Sequence, residues 1–259
     1  MINASPKVVI IVLTGLMLSG ADRPGKSHFK GADDRQLIIS QAYPWRAVGR
    51  VNVRTGAHCT GTLIAPDKVL TAAHCMWLKR TRRFASVKSL HFVAGYSRGE
   101  WVAESPVKSY RIAQGYRARR NPSFMDSATD WAVLTLSKPI GADIGHIPPS
   151  PNGRAAVQTI IKAGHLVTQA GYSGDKRHIL TAHRGCRFGR YYPGSGLVDH
   201  LCDAIKGDSG SPIMTFKNGN PTIVAIHVAG IPGRAKGTRL GLAVALPPLK
   251  EWQARTRVP

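Results

Sequence analysis

Three short segments bring together a hydroxyl, an imidazole and a carboxylate in settings that suit nucleophilic chemistry. They are Thr71-Ala72-Ala73-His74-Cys75, behind the apolar run KVL, then Asp130-Trp131-Ala132-Val133-Leu134, then Gly207-Asp208-Ser209-Gly210-Ser211-Pro212. A serine hydroxyl is a weak nucleophile at neutral pH. It needs a base within hydrogen-bond reach, and that base needs a group that fixes its tautomer. Ser209, His74 and Asp130 can fill those three roles. The glycines beside Ser209 permit a tight turn that aims the backbone N–H groups of Gly207 and Ser209 at one spot. Such a pair stabilises the oxyanion of a tetrahedral intermediate, and loss of one donor typically costs about 100- to 1000-fold in rate. Taken singly, each segment has an ordinary reading: a packed histidine, a turn aspartate, a glycine-rich hairpin. Their conjunction, in strand-like contexts with Cys75 beside His74, points to acyl transfer.

The elements that must position these groups read as β structure. The chain has 259 residues, 43% hydrophobic and only 19% charged, with 27 Gly and 17 Pro. That composition favours a turn-rich β protein with a sizeable core and excludes global disorder. From Trp45 onward, short apolar runs alternate with turn residues: RAVGRVNV, GTLIA, KVLTAAHC, SLHFVAG, DWAVLTL, VQTIIKAG, SPIMTF, TIVAIHVAG and RLGLAVAL. Runs of this length and spacing are expected to be strands of sandwiches or barrels. The PPSP stretch at 148–151 marks a crossing between two halves. The expected organisation is a first β half at 45–150 carrying His74 and Asp130, and a second at 151–246 carrying Ser209. The tail, 247–259, lacks Gly and reads as a short surface helix.

These motifs resemble the trypsin-like (chymotrypsin-fold) serine endopeptidases, over roughly Asp33 to the C-terminus. TAAHC, the DWAVL strand and GDSGSP carry the likeness, and the order His, Asp, Ser matches that family. DDR at 33–35, AYPWRAVGRV, CTGTLIAPDKVLTAAHC, GYSGDK at 171–176 and CDAIKGDSGSP are similar to the bacterial branch that includes glutamyl endopeptidases. The resemblance implies an all-β fold of two six-stranded antiparallel barrels with the site in the cleft between them. It implies peptide-bond hydrolysis through an acyl-enzyme, with His74 as general base, Asp130 as its orienting partner and Ser209 as nucleophile. A protein or peptide is then the substrate, and no cofactor is expected. A non-catalytic binding protein on the same fold, acting through its cleft or basic surface, is the alternative.

The resemblance leaves specificity divided. Asp203, six residues before Ser209, is expected at the base of the primary pocket, where a carboxylate selects Arg or Lys. His227, in AIHVAG, is expected on another wall, where a histidine suits an acidic side chain. The balance of the two favours basic or mixed specificity. Val228 to Gly230 are expected to pair with an extended substrate. Many zymogens of this family are cut before an Ile-Val-Gly-Gly segment whose new amine meets the Asp preceding the nucleophile. That segment is absent here, so Asp208 is expected to pair with an internal Arg or Lys.

Four cysteines allow three disulfide connectivities. Pairing Cys59 with Cys75 and Cys186 with Cys202 closes a local loop in each half, worth about 3 kcal/mol apiece by chain entropy. A zinc site using Cys with His183 or His200 is disfavoured because no C-x-x-C pair is present, so no metal is expected.

The N-terminus carries Lys7, an apolar run of about 11 residues from Val8 to Leu18, and small residues at 19–21. This is the order of a secretory signal peptide at 1–21, and the run is shorter than a membrane span of roughly 20. Residues 22–44 are expected to be a propeptide or extended arm. The chain is therefore expected to be secreted or periplasmic, and monomeric. Its formal net charge is +22. Basic clusters fall at Lys79, Arg80, Arg82 and Arg83, at Arg117, Arg119 and Arg120, at Arg184, Arg187 and Arg190, and at Arg234, Lys236 and Arg239. They suit an anionic surface or polymer, and no specific nucleic-acid module accompanies them.

Overall fold

A computed structural model describes residues 32–119, 122–233, 239–248, 252 and 256–259. The leader at 1–21, the start of the arm, and Arg120, Arg234 and Lys236 of the basic clusters lie outside the described residues. Alternating burial shapes the first sheet. In β1 (Val48–Val53), Val51 and Val53 are buried while Arg50 and Asn52 are half-exposed, as a strand with one face on a core requires. With β2 (His58–Ala65), β3 (Lys68–Thr71), β4 (Leu90–Ala94), β5 (Ala103–Ala113) and β6 (Ala132–Leu136), it forms an antiparallel sheet in the order β5-β4-β1-β2-β3-β6. β6 pairs back onto β5, with Val107 opposite Leu136 and Ile112 opposite Ala132. This closes a six-stranded barrel and leaves only the far end of β5 with an edge to fill.

The second half uses β7 (Val167–Gly171), β8 (Thr181–Cys186), β9 (Phe188–Tyr192), β10 (Leu197–His200), β11 (Pro212–Lys217), β12 (Asn220–Pro232) and β13 (Arg239–Ala245), in the order β8-β7-β11-β12-β13-β10-β9. β8 and β9 are consecutive, separated only by Arg187, and bend where Gly185 takes a φ of +79°. The two strands at opposite ends of this set are thus consecutive in the chain. The fold is two antiparallel β-barrels, as expected.

Two expected elements differ. VQTIIKAG is not a strand but most of helix α1 (Gly153–Ala163). Asn152 caps its start by accepting from Ala155 N–H at 3.1 Å, and Gly164 ends it in a left-handed conformation, both strong helix boundaries. Val157 and Ile160 are buried from this helix with Val167, Phe188 and Val198, the i, i+3 spacing of an amphipathic face. Arg187 Nη1 donates to Gly164 O at 2.7 Å. The helix expected over 247–259 falls at 249–251 and 253–255 outside the described residues. Its end is a strand, because Thr256–Arg257 pairs with Ala113 and Ile112 on the β5 edge. Trp252 is buried, 5.6 Å from the Trp131 ring.

The arm binds the opposite barrel. Gln36–Leu37 pairs with Ala182 and Thr181 of β8. Just before it, Arg35 has a buried side chain bridged to Asp33 at 2.8 Å and to Asp175 at 2.7 Å. Disulfides join Cys59 to Cys75 and Cys186 to Cys202.

Candidate active site

Sheet register brings His74 and Asp130 together. Thr71 of β3 faces Ala132 of β6. His74 lies three residues beyond the first and Asp130 two before the second, so both leave the barrel at the same end. His74 sits in a 3-10 turn, Ala73–Met76, and Asp130 follows another, Met125–Thr129. Asp130 accepts twice from His74, from the backbone N–H at 2.8 Å and from Nδ1 at 2.6 Å. That fixes the proton on Nδ1 and leaves Nε2 as acceptor. Ser209 Oγ is 2.8 Å from Nε2 and donates to it. Burial alone would pull the imidazole pKa down, but the Asp130 charge and hydrogen bond hold it above the ordinary value. The imidazole is thereby made a better base for the Ser209 proton.

Ser209 comes from the turn between β10 and β11, which is pinned across the barrel interface. Thr60 N–H donates to Ser209 O at 2.9 Å, and Gly210 N–H donates to His227 O at 2.8 Å. Gly210 needs its missing side chain: at φ +84° a Cβ would collide with Thr60 O and Thr71 Oγ1. The Lys206–Gly207 peptide is oriented by Gly174 N–H, which donates to Lys206 O at 2.7 Å. In a planar trans peptide, Gly207 N–H therefore points the opposite way. Neither Gly207 N–H nor Ser209 N–H donates to another protein group among the described residues. Gly207 has φ +104°, and a Cβ there would meet Tyr172 O at 2.6 Å.

Asp208 does not meet an internal cation directly. Ser173 Oγ donates to its two oxygens at 3.0 and 2.9 Å, and Ile205 N–H donates at 2.8 Å. Burial pushes its pKa up to about 6, against those hydrogen bonds and the nearby Arg35 charge. A hydroxyl takes the place expected for an ammonium or guanidinium.

A cleft of about 690 Å³ opens beside Ser209, within the range of small-ligand and peptide-side-chain sites. His227, Ala229 and Gly230 line it, whereas Val228 lines an adjoining recess of about 190 Å³ with His74, Trp77 and Tyr116. Asp203 is not among the lining residues, which corrects the expectation of a carboxylate at the pocket base. Its Oδ2 accepts Asp34 N–H at 2.8 Å, and its own N–H donates to His183 Nδ1 at 3.0 Å. The carboxylate holds the arm instead of facing substrate, and the case for basic selectivity falls with it. Asp34, His183 and Asp203 each bring a ligand atom within 4.8 Å of the others, but His183 and Asp203 are already engaged in those bonds.

His227 is buried, and its Nδ1 is 3.0 Å from His200 Nε2. One ring donates to the other, and Nε2 of His227 remains for the cleft. Burial, then the neighbouring His74, lower the His227 pKa to about 3, so it is neutral near pH 7. The cleft's charge comes from residues outside the expected specificity set. Arg239 lines it with Nη2 3.4 Å from Gly230 O, and Arg177 and Lys206 line it too. Sequence offers only the membership of Arg239 in a basic run; in the sheet, Pro232 of β12 stands opposite Arg239 of β13.

Comparison with known proteins places these features. A family model described as Trypsin matches residues 39–253. A glutamyl endopeptidase of Bacillus licheniformis is 30% identical over 229 residues, covering 81% of this chain and 64% of its own length. A solved Glu endopeptidase in complex with MPD superposes with a TM-score of 0.67 at 23% identity, covering 88% of this chain and 98% of the other. The chain thus spans a little under two thirds of the curated relative.

Proposed function

The chain belongs to the trypsin family, and on that premise we propose that it is an exported serine endopeptidase that cuts on the carboxyl side of acidic residues. The observation that carries the reading is the hydrogen-bonded line from Asp130 through His74 to Ser209, ending at the mouth of a cationic cleft. Ser209 Oγ attacks the scissile carbonyl while His74 Nε2 takes its proton. Gly207 N–H and Ser209 N–H receive the developing oxyanion. His74 then gives the proton to the departing amine, leaving an ester on Ser209. Water, deprotonated by His74, hydrolyses that ester and releases the acid. Asp130 holds the ring and stabilises its charged form throughout.

For specificity, His200 Nε2 donates to His227 Nδ1, so His227 presents Nε2–H to an incoming carboxylate. Arg239 supplies the charge that neutral His227 lacks. A basic side chain would meet these donors and no free carboxylate, and would be rejected by unpaired charge. Export is supported by the Lys7–Ala21 leader pattern and by two disulfides, which persist in oxidising compartments.

The test is labelling of purified protein with a fluorophosphonate, beside Ser209→Ala, followed by substrates differing only in the acyl residue. The reading expects label on folded wild type alone, and about 100-fold preference for Glu over Lys. Folded wild type that takes no label would favour the non-catalytic alternative. Equal cleavage after Lys would remove the acidic pocket while leaving the protease.

A further inference from the structure

The cleft also takes in the surroundings of Gly207, whose α-carbon faces Gly174 and His58. Its walls there are Gly56–His58, from the turn into β2, and Gly174, Asp175 and Arg177, from the turn after β7. The walls are tied by His58 Nε2 donating to Tyr172 O at 2.9 Å. A substrate whose acyl half lies along Val228–Gly230 must leave with its amine half between these walls, because Gly207 and Ser209 mark the scissile carbonyl between the two.

Charge in this half is one-sided. Arg177 and Lys206 are exposed, and neither has an ion-pair partner among the described residues. The one carboxylate lining it, Asp175, is already shared by Arg35 at 2.7 Å and Lys176 at 3.4 Å. Behind the wall, Arg50 lies over the Tyr96 ring at 4.9 Å, and its Nε is buried with no hydrogen-bond partner. Burial lowers the pKa of Arg50 against the opposing influence of Tyr96 and Tyr172, and the Arg177 charge adds a smaller push downward. Burial also lowers that of His58, with Arg50 and Arg177 adding to the effect. Cations repel one another here with no unshared anion among the described residues lining this half, and an anionic ligand would relieve that repulsion.

We propose that this half is a carboxylate-binding subsite for the leaving group. Arg177, backed by Arg50 and flanked by Lys206, receives an acidic side chain one or two residues beyond the scissile bond. The preferred substrates are then acidic runs, not isolated acidic residues. This rests on the endopeptidase reading for its geometry, but it concerns the other side of the bond.

The test uses internally quenched peptides with one common acyl half and Asp-Asp, Asn-Asn or Lys-Lys directly after the cut. Wild type is expected to show about tenfold higher kcat/KM for Asp-Asp than for Asn-Asn, with Lys-Lys lowest, and the ratio should shrink as salt rises. Arg177→Glu is expected to bring the Asp-Asp to Asn-Asn ratio to one or below. Equal use of both peptides by wild type, or an unchanged ratio in Arg177→Glu, would overturn the proposal. Each ratio is taken within one protein at a fixed acyl half, so it reads the same way whichever acyl residue is preferred. Binding of the same peptides to Ser209→Ala protein gives the comparison without turnover. A tighter Kd for Asp-Asp supports the subsite, and equal Kd values remove it.

Discussion

His74 and His227 flank the same serine, and their surroundings drive them in opposite directions. Behind His74 stands a carboxylate at 2.6 Å, and its pKa is held above the ordinary value. Behind His227 stands another imidazole at 3.0 Å, and its pKa falls to about 3. Burial disfavours the cation in both. Only at His74 does a carboxylate on the far ring nitrogen outweigh burial; at His227 nothing does, and the His74 charge adds to the fall.

The comparison breaks most sharply at Asp130. Asp130→Asn is expected to lower kcat by about four orders of magnitude, because the amide can hold the wrong tautomer. Steady-state kinetics on a cleaved substrate would check this, and a loss under tenfold would remove the orienting role. Removing the neutral donor should cost less: His227→Ala is expected to reduce kcat/KM for acidic acyl residues about 100-fold, measured against an uncharged acyl residue as internal reference.

Two pH dependences sharpen the contrast. The proposed mechanism requires neutral His74, so kcat/KM should rise with pH through a value above 6.5 and be lost below it. In Asp130→Asn the residual limb should move to lower pH. His227 acts on stability. Its folded value of about 3 lies below the unfolded 6.5, so the unfolded chain binds the extra proton between them. Stability is therefore complete above about pH 6.5 and falls as pH drops towards 3, by several kcal/mol in all. Asp208 runs the other way. Its folded value of about 6 exceeds the unfolded 3.8, so its cost appears as pH rises through that window. Urea midpoints at pH 7 and 5 for wild type and His227→Gln should isolate the histidine: in wild type the two dependences largely offset, whereas the variant keeps only that of Asp208 and should gain stability at pH 5 relative to pH 7. Cys186→Ser with Cys202→Ser is expected to cost about 3 kcal/mol in the same assay, with the His74–Asp130 line intact.

What can be read from sequence depends on how local each determinant is. TAAHC and GDSGSP put His74 and Ser209 in recognisable turns, and the two cysteine pairs close local loops. The direction a side chain faces is not local. Asp203 occupies the expected position, yet Asp34 N–H, far away in the chain, turns it from the cleft. Arg177 and Arg239 look like any other cation until the fold sets them around Ser209. VQTIIKAG has the apolar, β-branched residues of a strand. Asn152 and Gly164, at cap spacing, are the sequence signals that favour a helix there.

The chain ends cross over. Gln36–Leu37, from the N-terminal side, extends the sheet of the second barrel, and Thr256–Arg257, from the C-terminal side, extends that of the first. Each barrel is thus buckled to the other by a strand it does not own. A chain severed within 145–152 would yield two fragments, each lacking part of its own sheet and each carrying the missing piece of the other. They are expected to fold only as a complementing pair, so that co-expression restores what neither fragment yields alone.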